Sequence, residues 1–138
     1  MSGEIKIVRV LTRLNIGGPS IHAALLSTRL NHQRFSTCLV VGEADIEEGD
    51  LSGLVQGSDV RMVRLRTLHR AIHPLADLRS FGYLLRIVWR ERPHIIHTHM
   101  AKAGALGRLA GWLYNRVGPG RHRGQRAILL HTFHGHVL

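Results

Sequence analysis

The chain has 138 residues, and several things are scarce in it. There is one cysteine, Cys38, inside the apolar run Thr37-Cys38-Leu39-Val40-Val41, so a disulfide framework is excluded and a buried thiol is expected. Aromatic residues make up only 5%, too few to interleave with basic clusters as single-stranded nucleic-acid binding requires. No apolar stretch approaches the roughly 20 residues of a membrane span. Met1-Ser2-Gly3-Glu4 lacks the basic and apolar regions of a signal peptide, and a cytoplasmic location is expected. Acidic residues number 9 against 19 Lys and Arg, and none follows Glu91, a region that holds seven of the eleven histidines. Such a field favours anions: phosphates, nucleic acid or a lipid surface.

What is present is alternation. Apolar runs at residues 5–11, 35–41, 60–65, 94–99 and 127–133 read as strands, the third interrupted by arginines and so near an edge. Between them lie a helix opening at Gly17-Gly18-Pro19-Ser20 with Ser20 as N-cap, and an acidic, Gly-rich loop over 42–57. A helix over 74–90 should turn Leu75, Leu78, Leu84, Leu85 and Val88 inward. Another spans 101–117 and ends at Gly118-Pro119-Gly120, followed by a basic loop over 121–126. Strand–helix alternation predicts an α/β, Rossmann-like, doubly wound parallel sheet with strand order 3-2-1-4-5 and one domain over 1–138.

Ligands of such sheets bind beyond the carboxyl ends of the strands, where the order reverses. Three segments arrive there: Asn15-Ile16-Gly17-Gly18, His97-Thr98-His99-Met100-Ala101-Lys102-Ala103-Gly104, and His131-Thr132-Phe133-His134-Gly135-His136. The glycine pair would let a diphosphate reach backbone N–H groups at a helix start. Lys102 falls in a first helical turn, where the dipole disfavours a cation, so an anionic ligand is its expected neighbour. His94 and His97 read as packed within the strand, whereas His99 and His134 stand where their strands run out. Gly104, Gly107 and Gly111 suit close packing of helix on sheet. The histidines raise a metal site as an alternative, but the carboxylate that catalytic zinc or iron sites usually include is missing nearby. No metal and no cofactor are expected. An anion-binding module without catalysis, and a histidine-site metallohydrolase, remain the alternative readings.

These residues resemble the amino-terminal half of family 4 glycosyltransferases, retaining enzymes of the GT-B fold, many of which build polysaccharides or lipid-linked sugars. The likeness lies in the Gly-Gly turn, in HTHMAKAG with its GRLAG helix, and in HTFHGH. It implies a nucleotide-diphosphate sugar as donor substrate, with Gly17 and Gly18 against its diphosphate and His134, the catalytic candidate, on the donor sugar. It places Asn15, His99 and Lys102 on the acceptor side of the cleft, facing a glycan or lipid-linked acceptor. It also implies a second, donor-binding domain beyond a chain that stops after its fifth strand. Two arginine clusters, at 61, 64, 66 and 70 and at 121, 123 and 126, suggest peripheral contact with an anionic membrane on its inner face; no nucleic-acid partner is expected.

Overall fold

The computed structural model describes residues 3–14, 18–30, 34–43, 52–55, 57–69, 71–122 and 124–133. Five parallel strands form one sheet in the order β3-β2-β1-β4-β5: β1 Ile5–Leu11, β2 Phe35–Val41, β3 Arg61–Arg64, β4 Ile95–His99 and β5 Ile128–Thr132. The helices are α1 Gly18–Leu30, α2 Pro74–Glu91, α3 Ala101–Val117 and the short α4 Pro119–His122, with a 3-10 turn at Ser52–Leu54. This is the expected α/β sheet in the expected order, with β3 and β5 at its edges.

Period-two alternation sends successive β1 side chains to opposite faces. Val8 and Val10 join Val40, Leu84, Ile87, Ala103 and Ala110 beneath α2 and α3. Leu11 joins Leu39, Val41, Ala23 and Ala24 beneath α1. Each fully buried Val or Leu contributes roughly 1.5–3 kcal/mol, so these two layers supply most of the drive to fold. Cys38 is buried in the first of them, as expected, and burial pushes its thiol up against the opposing pull of Arg61 and Arg90.

The glycines of α3 do what their cost of about 1 kcal/mol each requires. A Cβ at Gly107 would stand 2.5 Å from Cγ2 of Thr98, and one at Gly111 would stand 2.4 Å from Cδ2 of Leu129. The helix therefore lies closer to β4 and β5 than any side chain would permit.

Three expectations are corrected. Ser20 is not an N-cap: α1 begins at Gly18, and the buried Ser20 hydroxyl donates back to the Arg13 carbonyl at 3.3 Å. The segment after α3 is not all loop, because Pro119, with φ pre-set for a first turn, starts α4, whose Arg121 and His122 N–H groups bond the Gly118 carbonyl. On α2, Leu84 and Val88 are buried and Leu85 is half-buried, but Leu75 and Leu78 are 58% and 66% exposed. The buried stripe runs Ser80, Leu84, Ile87, Val88. Leu75 precedes Leu84 by nine residues, two and a half turns, and therefore lies opposite it.

Candidate functional site

In a sheet of this order the ligand crevice is expected at the carboxyl ends of β1 and β4, where the strand order reverses. On the β1 side, Thr12 follows the strand and its Oγ1 accepts a hydrogen bond from the Ala103 N–H at 3.0 Å. A residue of the first loop thus caps the first turn of α3, whose own N-cap, Met100, offers no side-chain bond. Met100 has φ 72 and ψ 161, a combination that costs a non-glycine residue of order 1–3 kcal/mol. The strain lies at the turn between β4 and α3, on the rim of the crevice.

Across from it, Gly18 opens α1. It is exposed, and among the described residues a Cβ there would meet nothing within 4 Å. Gly17 and Asn15 lie outside the described residues, as do His134 and His136.

His97 and His99 share a face of β4 and point toward the α1 side, in register with Arg9 and Leu11. His97 is buried and held at both ring nitrogens: Nδ1 accepts from Arg9 Nε at 3.3 Å, and Nε2 lies 2.6 Å from Thr132 Oγ1. Because Nδ1 accepts, the ring proton belongs on Nε2, which donates to Thr132. Arg9 also donates to Ser27 Oγ at 2.9 Å, and burial pushes its guanidinium down to about 10. At neutral pH it stays charged, a buried cation held by neutral groups. The His99 ring is wholly buried, 4.2 Å from that of His97 and edge-on to that of His22 at 5.8 Å. His22 is exposed on α1, so the three rings form a column from the sheet interior to the surface.

Lys102 answers differently from expectation. Its ammonium donates to Asp77 Oδ1 at 2.7 Å and to the Ala71 carbonyl. Burial raises the Asp77 carboxyl, but the hydrogen bonds from Lys102 and the His73 N–H, with the Lys102 charge, outweigh it and hold the group below the usual carboxylate range. The anion that offsets a cation in the first turn of α3 comes from α2 of the same chain.

The remaining histidines scatter. The Nδ1 of His94 accepts from the Lys6 N–H at the opposite edge of the sheet, as packed histidines do. His131 is in register with Thr98, hence on the α3 face, where its Nδ1 lies 2.7 Å from Thr98 Oγ1; burial, then Arg108, pushes it down. A sheet therefore separates His131 from His97 and His99. Among the described residues no three His, Cys, Asp or Glu side chains stand together as a metal site. A cavity of about 290 Å³ lies at the amino-terminal edge, lined by Lys6, Thr37, Cys38, Arg61 and Glu91 among others, away from the crevice.

Arg9, Thr12, His22 and Asp77 escaped the sequence reading. Arg9 alone carried a signal, a charge within an otherwise apolar central strand. The other three become visible only when loops and helices are placed.

Known proteins bear on this geometry. A family profile described as a glycosyl transferase 4-like domain matches residues 17–138. Over 67 residues the chain is 37% identical to the UDP-Gal:alpha-D-GlcNAc-diphosphoundecaprenol alpha-1,3-galactosyltransferase of Escherichia coli, a match covering 49% of this chain and 17% of that protein. The chain thus spans less than a fifth of this curated relative. Among solved structures it is similar to a UDP-N-acetylglucosamine 2-epimerase from Listeria monocytogenes, with TM-score 0.62, 17% identity, and coverage of 94% of this chain and 31% of that one. The UDP-GlcNAc 2-epimerase of Methanocaldococcus jannaschii gives TM-score 0.58, 10% identity, and coverage of 93% and 31%. At such identities the structures speak for the fold alone. The profile match, which runs from the glycine turn through β5, shows that the chain belongs to the glycosyl transferase 4-like family.

Proposed function

We propose that this chain is the acceptor-side domain of a glycosyltransferase that moves a sugar from a nucleotide-diphosphate sugar to a glycan or lipid-linked acceptor, with retention at the anomeric carbon. The observation that carries this reading is the family match over residues 17–138. The named relative, whose acceptor is a diphosphoundecaprenol-linked GlcNAc, supports an acceptor with a diphosphate and a lipid.

In the reaction, the bond from the anomeric carbon to the donor's β-phosphate oxygen breaks and a bond to an acceptor hydroxyl forms. The acceptor proton leaves with the diphosphate or to solvent. The protein must offset the charge that grows on the departing diphosphate. Gly17, Gly18 and the positive end of α1 are suited to that task, and His134 is assigned to the donor sugar. Asn15, His99 and Lys102 are assigned to the acceptor side. Lys102 is held by Asp77, so an acceptor phosphate would compete with a carboxylate already in place. His99 is buried behind His22, so it would act by supporting the exposed ring or after a local shift of α1.

A second Rossmann-like domain is assigned most of the nucleotide contacts. The reaction would take place at the inner face of an anionic membrane, in the cytoplasm. Among the described residues no helix is long and apolar enough to cross a membrane, so the contact proposed is peripheral. No cofactor is assigned; the nucleotide sugar is a substrate. Among the described residues the metallohydrolase reading is not supported by His131, which lies on the face of the sheet opposite His97 and His99.

The test is transfer of labelled sugar to a diphospholipid acceptor. The 138-residue chain alone should be silent, and adding a donor-binding domain of the same family in trans should restore turnover that His134→Ala then abolishes. Transfer by the chain alone, or full turnover with His134→Ala, would overturn the assignment.

A further inference from the structure

Arg9 stands in the middle of β1, 2% exposed, between the fully packed Val8 and Val10. A buried charge without an anionic partner is costly, and an apolar side chain of similar volume would serve the core at least as well. Among the described residues Arg9 bonds only neutral groups: Nη1 donates to Ser27 Oγ on α1, and Nε donates to His97 Nδ1 on β4. Stability does not account for this residue. Charged groups kept in such places cluster at functional sites.

What the guanidinium does is set a direction. Because His97 Nδ1 accepts from Arg9, the ring carries its hydrogen on Nε2 and donates it to Thr132 Oγ1 at 2.6 Å. A hydroxyl that accepts on one side turns its own hydrogen elsewhere. Hydrogen bonds in series polarise one another, so a row that begins at a full positive charge strengthens its last donor. Thr132 is half-buried, and among the described residues no acceptor faces its hydroxyl hydrogen. It closes β5 in register with His99, about 4.8 Å across from the end of β4 and beside the expected crevice.

We propose that the Thr132 hydroxyl donates a hydrogen bond to an oxygen of the nucleotide sugar, and that Arg9 and His97 are the positioning residues that aim it. This rests on the nucleotide-sugar reading of the crevice. Without Arg9, the His97 ring could carry its hydrogen on either nitrogen, and Thr132 could then present a hydrogen or a lone pair. With Arg9 in place the hydroxyl is fixed as a donor, which suits a phosphate or sugar oxygen. The buried charge is thus explained by the direction it imposes two residues away along the row.

Nitrogen NMR spectra of the histidine rings in the isotope-labelled chain test the row without any ligand. At neutral pH wild-type His97 should be the neutral Nε2–H form, and Arg9→Met, which removes the donor to Nδ1, should bring in the Nδ1–H form. A wild-type His97 with its hydrogen on Nδ1, or protonated on both nitrogens, would overturn the proposal. An unchanged Nε2–H form in folded Arg9→Met would overturn the role of Arg9. Amide-shift titrations with UDP-glucose and with UDP read the contact itself. Thr132→Val, close in shape but without the hydroxyl, should weaken binding by about threefold to tenfold, and Thr132→Ser should bind like wild type. Loss with both ligands assigns a phosphate oxygen; loss with UDP-glucose alone assigns a sugar oxygen. Thr132 lies half-buried on an edge strand, so its variants decide the contact even where Arg9→Met does not fold. Thr132→Val that binds both ligands like wild type overturns the contact alone. A wild type that binds neither overturns the nucleotide-sugar reading and the contact with it.

Discussion

β1 and β5 are both short, apolar, parallel strands of one sheet, yet from Ile7 to Leu11 β1 is fully buried while Ile128, Leu129 and Leu130 of β5 are 61%, 36% and 47% exposed. Nothing in their own composition separates them; their neighbours do. β1 has β2 on one side and β4 on the other, with α1 beneath and α2 and α3 above. Among the described residues β5 pairs only with β4, and α3 reaches only its Leu129 and His131 side. Identical apolar residues therefore act as core in one strand and as exposed surface in the other.

The largest expected effect tests that contrast. Leu11→Ala should cost about 2–5 kcal/mol, because its cavity forms between packed layers. Leu130→Ala should cost less than about 1 kcal/mol, and chemical denaturation of both variants measures the difference. Equal losses would mean that β5 is covered in solution. A smaller effect sharpens the role of α3. Gly107→Ala should cost about 1–3 kcal/mol through its clash with Thr98 Cγ2, and Thr98→Ser, which removes that methyl and keeps the hydroxyl for His131, should restore part of the loss.

The strand order and the edge position of β3 were legible because they follow from alternation and right-handed crossovers. The inward face of α2 was legible only in part. Leucines occur on both sides of that helix, and composition alone cannot fix the phase of a stripe when apolar residues also face outward. Lys102 was legible as a cation in need of an anion, but not as a cation already served, because Asp77 lies 25 residues earlier and meets it only across two helices. Arg9, with Ser27 and His97, was hidden for the same reason: its partners come from α1 and β4.

The smallest stability effect concerns that ion pair. The Asp77 carboxyl is depressed in the folded state, so its contribution is present above the ordinary carboxylate value of 3.8 and is lost as pH falls below it. Lys102→Met should cost about 1 kcal/mol at neutral pH and flatten this acid dependence. Melting temperatures that fall with acid as steeply as in wild type would assign the depression to another group.

The central claim is that the carboxyl edge of β1 and β4 is where this chain meets a nucleotide-diphosphate sugar. Amide chemical shifts of the labelled chain, recorded while UDP-glucose is added to millimolar excess, test it most directly. The account expects weak binding with shifts gathered at Thr12, Gly18, Thr98, Met100 and Lys102. Shifts gathered instead at Lys6, Cys38 and Arg61 around the opposite cavity, or none anywhere, would contradict it.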